Sequence, residues 1–152
     1  MKNRTTQHAT FVIERIYPVA PARVFAAWAD PVAKARWFAG SGEAKSEGRE
    51  LDFRVGGTER VLTSVPGGDV HRYDAVYRDI VPDQRIIYCY DMHLGETRIS
   101  VSLTTVEFHA QGKGTRMVFT EQVVFLDGYD DAGSRERGSH KLLEQLAGAL
   151  AS

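Results

Sequence analysis

The closing stretch of the chain, residues 134–150, restricts the fold more than any other. Ser139, Leu142, Leu143, Leu146 and Leu150 recur there at helical spacing, while Lys141, Glu144, Gln145 and Gly148 fall on the opposite side. Such an amphipathic helix is stable only against a large apolar surface. Nearly everything from residue 10 to residue 125 reads as short strands and hairpin turns, so the surface on offer is a curved antiparallel sheet. A helix resting on a curved sheet encloses a pocket, and the expected class is α+β.

Taken in order, the first strand is predicted at residues 10–17, rich in β-branched and aromatic side chains and ended by Pro18. This leaves residues 1–9 as a flexible N-terminus ahead of a single domain at 10–152. Pro21 stands where a helix would begin, since its missing N–H is no loss in a first turn. Val24, Phe25 and Trp28 form one stripe and Val32, Ala35 and Trp37 a second. Two short helices follow, separated at Asp30-Pro31 because the residue before proline avoids the helical region. Residues 39–49, with Gly40, Gly42 and Gly48, read as a loop leading toward a strand.

From Leu51 the period is two: Leu51, Phe53 and Val55 alternate with Asp52 and Arg54, and Gly56-Gly57 supplies a two-residue turn. Strands at 58–65, 70–80, 85–92 and 97–108 come next. They are separated by Pro66-Gly67-Gly68-Asp69, Val81-Pro82-Asp83-Gln84 and His93-Leu94-Gly95-Glu96. In the last of them the apolar positions change parity at Thr104-Thr105, which predicts a bulge or bend. Gln111-Gly112-Lys113-Gly114 closes a hairpin into residues 115–125. Ser134 is expected to cap the final helix, with Glu136 in its first turn. The expected sheet has about six strands.

Composition and motif searches exclude several functions. The 19 Lys and Arg are matched by 20 Asp and Glu and scattered, so no basic stripe is present to bind nucleic acid. No run approaches the ~18 apolar residues of a membrane span, and the N-terminus lacks the apolar centre of a secretory signal. A cytoplasmic location is expected, and the single Cys89 agrees with a reducing compartment. G-x-S-x-G, P-loop, H-E-x-x-H and paired C-x-x-C motifs are absent. Gly112-Lys113-Gly114 and Gly40-Ser41-Gly42 are hairpin or loop glycines rather than a dinucleotide fingerprint. His8, His71, His93, His109 and His140 lie too far apart for zinc spacing, so neither metal nor cofactor is expected.

Two features stand above this background. Glu121 alternates with Met117, Phe119, Val123 and Phe125 on the face that should point inward, and a buried carboxylate is costly unless paired or protonated. Either it faces a polar pocket or pairs with a base such as Arg54, or strand twist carries it to the sheet edge. The second feature is the aromatic set Trp28, Trp37, Phe38, Tyr73, Tyr77, Tyr88 and Tyr90, which suits either core packing or an apolar ligand site with a few polar handles. Gly138, inside the final helix, would be explained by a close approach to another element, by room for a ligand or by a frayed first turn.

The FVIERIYPVAPARVFAAWADPVAKARWF opening, LDFRVGG, YRDIVP, GTRMVFTEQ and the closing helix from Gly138 together resemble the START-like (SRPBCC) helix-grip superfamily. Within it they are similar to the branch of heat-shock-protein-90 ATPase activator homologues, often described as polyketide cyclase or dehydrase-like. The resemblance spans residues 10–150 and is carried by Pro21, Trp28, Trp37, Arg54, Gly56, Gly57, Pro82, Gly114, Thr115 and Gly138. It implies a sheet wrapped around the C-terminal helix with a hydrophobic cavity between them. Ser139 departs from the tryptophan that many members carry there, which bears on cavity size.

The expectation is a module that binds a small, largely hydrophobic ligand, with Trp37, Arg54, His71, Tyr73, Tyr88, Tyr90, Glu121 and Leu142 as candidate ligand-binding residues. A cyclase, dehydratase or hydrolase acting on a polyketide-like or aromatic substrate is the alternative. There Glu121 would be acid or base and Arg54, His71, Tyr73 or Tyr90 would polarise a carbonyl. A third reading, a module stimulating a chaperone ATPase, comes with the family name alone. A homodimer is compatible with all three.

Overall fold

The computed structural model describes residues 3–39, 45–64 and 66–151; the Gly40-Ser41-Gly42 segment, Val65 and the first two residues lie outside them. Along the chain run β1 (Thr6–Tyr17), α1 (Pro21–Ala29), α2 (Pro31–Ala35), β2 (Lys45–Leu51), β3 (Thr58–Ser64), β4 (His71–Val81), β5 (Arg85–Leu94), β6 (Thr97–Gln111), β7 (Gly114–Leu126) and α3 (Ala132–Leu150). The strands form one seven-stranded antiparallel sheet in the order β1-β7-β6-β5-β4-β3-β2. β2 to β7 are a meander. β1 is out of sequence, pairing with β7 from Thr6 opposite Leu126 to Tyr17 opposite Thr115. The two short helices carry the chain from one sheet edge to the other.

α3 is fastened across one face of this sheet. The buried Tyr17 hydroxyl donates to the Leu143 carbonyl at 3.1 Å, and Arg15 reaches Glu144 at 2.7 Å. Leu143, Leu146 and Leu150 press into a core shared with Ile13, Tyr77, Ile86, Val106 and Met117. At the junction between α1 and α2, the Asp30 side chain accepts from the Val32 N–H at 2.9 Å, so the residue that stops one helix caps the next. Trp37 Nε1 then donates to the Ala27 carbonyl at 2.9 Å, folding the segment after α2 back over α1. Among the described residues, no helix is long and apolar enough to cross a membrane.

The α+β helix-grip class and the paired short helices are as expected, with seven strands in place of about six. β1 starts at Thr6, so residues 6–9, read as a flexible lead-in, are paired strand, and Asp127 accepts from the Thr5 N–H at 2.8 Å. The alternation from Leu51 to Val55 is not strand: β2 ends at Leu51 and the chain turns through residues 52–57. Gly56, at φ +83°, and Gly57 keep this turn attached to the sheet. The Gly56 N–H donates to the Tyr77 carbonyl at 2.8 Å and the Gly57 carbonyl accepts from Tyr77 at 3.0 Å.

No bulge occurs at Thr104-Thr105, whose partners Tyr88, Ile87, Glu121 and Thr120 run in unbroken register. The inward side of β6 changes chemistry there instead. Ser100, Ser102 and Thr104 are buried hydroxyl residues, followed on the same face by Val106 and Phe108, while Leu103 faces out. The register shift in this strand lies at Ile99, between the His93–Arg98 and Met92–Ser100 pairs. α3 is capped by Asp131 rather than Ser134: the Asp131 side chain accepts from the Ser134 N–H at 2.8 Å. The helix thus begins at Ala132, earlier than expected.

Candidate functional site

Between α3 and the inner face of the sheet lies a cavity of about 250 Å³. Its walls are predominantly aromatic. Tyr73 of β4 and Tyr90 of β5 lie with ring centroids 4.7 Å apart, and Phe38, which follows α2, packs edge-on to Tyr73 at 5.0 Å. Tyr88 stands two residues before Tyr90 on the same face of β5. Trp28 and Trp37 close one side, with centroids 4.8 Å apart, and Leu142 and Leu143 of α3 form the roof. His71, exposed at the start of β4, sits at the rim.

One end of this cavity is polar. Glu121, 1 % exposed, projects from the middle of β7, and three donors converge on its Oε2. These are the Tyr90 hydroxyl at 2.7 Å, the Ser102 hydroxyl at 3.1 Å and Arg135 Nη1 at 3.3 Å. Arg135 is buried in the first turns of α3. Its Nη1 also meets the Tyr90 hydroxyl at 3.0 Å, and its Nη2 donates to Ser100 at 2.7 Å and to Asp130 at 3.0 Å. Burial raises the Glu121 pKa; Arg135, Tyr90 and Ser102 pull it back, and the net direction is upward. Burial works against the Arg135 charge, but Tyr90, Glu121 and Asp130 outweigh it and the guanidinium is held more firmly protonated. Burial is also the main reason the Tyr90 and Tyr73 phenols lie above their usual range.

A second buried charge cluster lies behind the aromatic wall. Lys34 Nζ bonds Glu59 Oε1 at 2.6 Å and the Tyr77 hydroxyl at 3.2 Å, and that hydroxyl donates to the same Glu59 oxygen at 2.8 Å. The Phe38 ring covers the ammonium at 4.3 Å from its centroid. Burial lowers the Lys34 pKa more strongly than Glu59 raises it.

Of the residues singled out in the sequence, Trp37, His71, Tyr73, Tyr88, Tyr90, Glu121 and Leu142 line this one cavity. Arg54 does not. It lies exposed on the turn after β2, bonded to Asp52 at 2.8 Å, because the chain has left the sheet there. The partner of Glu121 is Arg135, which sequence reasoning missed. Arg135 stands four residues before Ser139 and so extends the stripe of Ser139, Leu143 and Leu146 by one turn; that spacing was the available signal. Gly138 borders the cavity, and a Cβ there would meet nothing within 4 Å, which removes close approach to another element as the reason for it.

Comparison with known proteins places this geometry. A structure from Rhizobium leguminosarum is 55% identical, with 99% of each chain covered and a TM-score of 0.95. One from Rhizobium loti is 48% identical over 95% of this chain and 99% of that one, with a TM-score of 0.88. A protein of Chromobacterium violaceum shares the fold at 23% identity and a TM-score of 0.80, over 94% of this chain and 97% of its own. No curated protein matches the chain. Residues 18–151 match the family described as Activator of Hsp90 ATPase homolog 1-like protein. The chain therefore belongs to the Activator of Hsp90 ATPase homolog 1-like family.

Proposed function

We propose that this protein binds a small, largely apolar molecule in the cavity between the sheet and α3, and that it does so in the cytoplasm. The observation that carries the reading is the cavity itself, about 250 Å³ of space walled by Trp37, Phe38, Tyr73, Tyr88 and Tyr90. A close-packed interior leaves few voids larger than a water molecule, so unfilled space of this size is not ordinary packing. Its volume exceeds the ~150 Å³ apolar cavity that accepts benzene and falls short of the ~300 Å³ at which drug-sized pockets begin. A compact molecule of two fused rings is the matching size.

Equilibrium dialysis against naphthalene tests this. Saturable one-to-one uptake is expected. Ser139→Trp, which places an indole in the cavity from the buried face of α3, should abolish uptake while far-UV circular dichroism stays unchanged. No uptake by the wild-type protein, or equal uptake by the folded variant, refutes the reading.

A further inference from the structure

Glu121 uses only half of its carboxylate to hold the structure together. Tyr90, Ser102 and Arg135 all converge on Oε2. Oε1 has no hydrogen-bond partner among the described residues. Nor is it sealed in protein, as the unpartnered Tyr73 hydroxyl and Trp28 Nε1 are, so its accessible side opens onto the cavity that Glu121 lines. An ionised carboxylate oxygen is an acceptor only, so what it can take from a ligand is a hydrogen-bond donor.

The surroundings sharpen what that oxygen selects. Arg135 is the cation of this end of the cavity, and it faces two carboxylates, Glu121 at 3.3 Å and Asp130 at 3.0 Å. Both of its terminal nitrogens are already engaged, Nη1 with Tyr90 and Glu121 and Nη2 with Ser100 and Asp130. A ligand carboxylate would therefore bring a third negative charge to one engaged guanidinium. A ligand carbonyl or ether would set its lone pairs against those of Oε1. A hydroxyl or N–H pointing at Oε1 meets neither obstacle.

We propose that the polar end of the cavity recognises a hydrogen-bond donor, so that the ligand is a compact aromatic or alicyclic molecule bearing a hydroxyl or N–H group held by Glu121 Oε1. This rests on the reading that the cavity binds a ligand at all, and the experiment separates the two. Isothermal titration calorimetry of the wild-type protein at pH 7 compares 2-naphthol, 2-methoxynaphthalene and 2-naphthoate, which share one ring system and differ at the polar group. A hydrogen bond to a charged acceptor corresponds to about ten-fold or more in affinity, so 2-naphthol should bind about ten-fold tighter than the methyl ether, with the carboxylate weakest. Glu121→Gln, which keeps the shape and removes the charge, should bring 2-naphthol to within about three-fold of the ether. If naphthalene and the ether bind and 2-naphthol is no tighter, or if 2-naphthoate is the tightest of the three, the donor-reading site is refuted and the ligand cavity stands. If none of the four compounds binds, both are refuted.

Discussion

The buried Lys34–Glu59–Tyr77 group offers a sharp energetic test of this structure, because removing one charged member should cost far more than replacing all three. The Lys34 and Glu59 side chains are 2% and 3% exposed, so no solvent screening discounts their interaction. At 2.6 Å their attraction is about 6 kcal/mol with an effective dielectric of ~20, which is of the same size as the several kcal/mol lost in desolvating the two ions. The intact group is thus close to neutral against an apolar one of equal volume, while a lone member is not. Lys34→Met leaves the Glu59 carboxylate buried with the Tyr77 hydroxyl as its hydrogen-bond donor and only the more distant charge of Arg49, and Glu59→Leu leaves the ammonium with that hydroxyl and the rings around it. Each should cost ~3–5 kcal/mol. Lys34→Met/Glu59→Leu removes both charges but strands the Tyr77 hydroxyl, at ~1–3 kcal/mol; adding Tyr77→Phe should bring stability back to within ~2 kcal/mol of wild type. Urea denaturation at constant m-value measures all of these. A Lys34→Met variant costing less than ~1 kcal/mol, or a triple variant as unstable as the two charge variants added together, would refute the reasoning.

Four further outcomes follow from the same geometry. Because the folded Lys34 pKa is depressed below its ordinary 10.5, the native state sheds this proton before the unfolded state does; wild-type stability should gain relative to Lys34→Met as pH rises toward 10.5, measured as paired urea midpoints. Tyr73→Phe removes a buried hydroxyl without a partner among the described residues and should raise stability by ~1 kcal/mol, read as a higher thermal midpoint. Gly138→Ala adds a methyl to open space inside α3 and should stabilise by up to ~1 kcal/mol in the same assay. Gly57→Ala drives its Cβ into the Asp52 carbonyl oxygen and should cost ~1–3 kcal/mol, since that neighbour is backbone and cannot rotate away.

The architecture was legible because its signals are local. Turn residues with an identifiable backbone requirement marked the hairpins: Gly112 at φ +58° lies in the turn joining β6 and β7, and Asp83 at φ +63° follows Pro82 between β4 and β5. Asp30-Pro31 marked the helix break for the same reason, as a restriction on one residue pair. Among the readings that fail are those in which periodicity alone carries the assignment. Leu51, Phe53 and Val55 alternate as a strand does. Yet Phe53 packs against Phe25 and Tyr77 from a turn, while Val55 is exposed, because the backbone there hydrogen-bonds within residues 52–57 and to Tyr77 instead of continuing a ladder.

At the site the difficulty is of another kind. Aromatic residues on a strand face announce a core or a cavity without distinguishing them, and the decision rests on whether α3 fills the space. Ser139 and Gly138, both small and both bordering the cavity, are where the helix leaves it open. The charges were hidden by the rule that makes apolar stripes visible. Arg135, Lys34 and Glu59 occupy inward positions, Glu59 two residues before the buried Val61, and a search for apolar recurrence passes over a charged residue at such a position. A charge in an apolar stripe is better treated as a request for a partner, since burial without one costs several kcal/mol. Glu121 made that request openly, and its answer lay on α3, fourteen residues further along the chain, at a contact that only the docking of the helix creates.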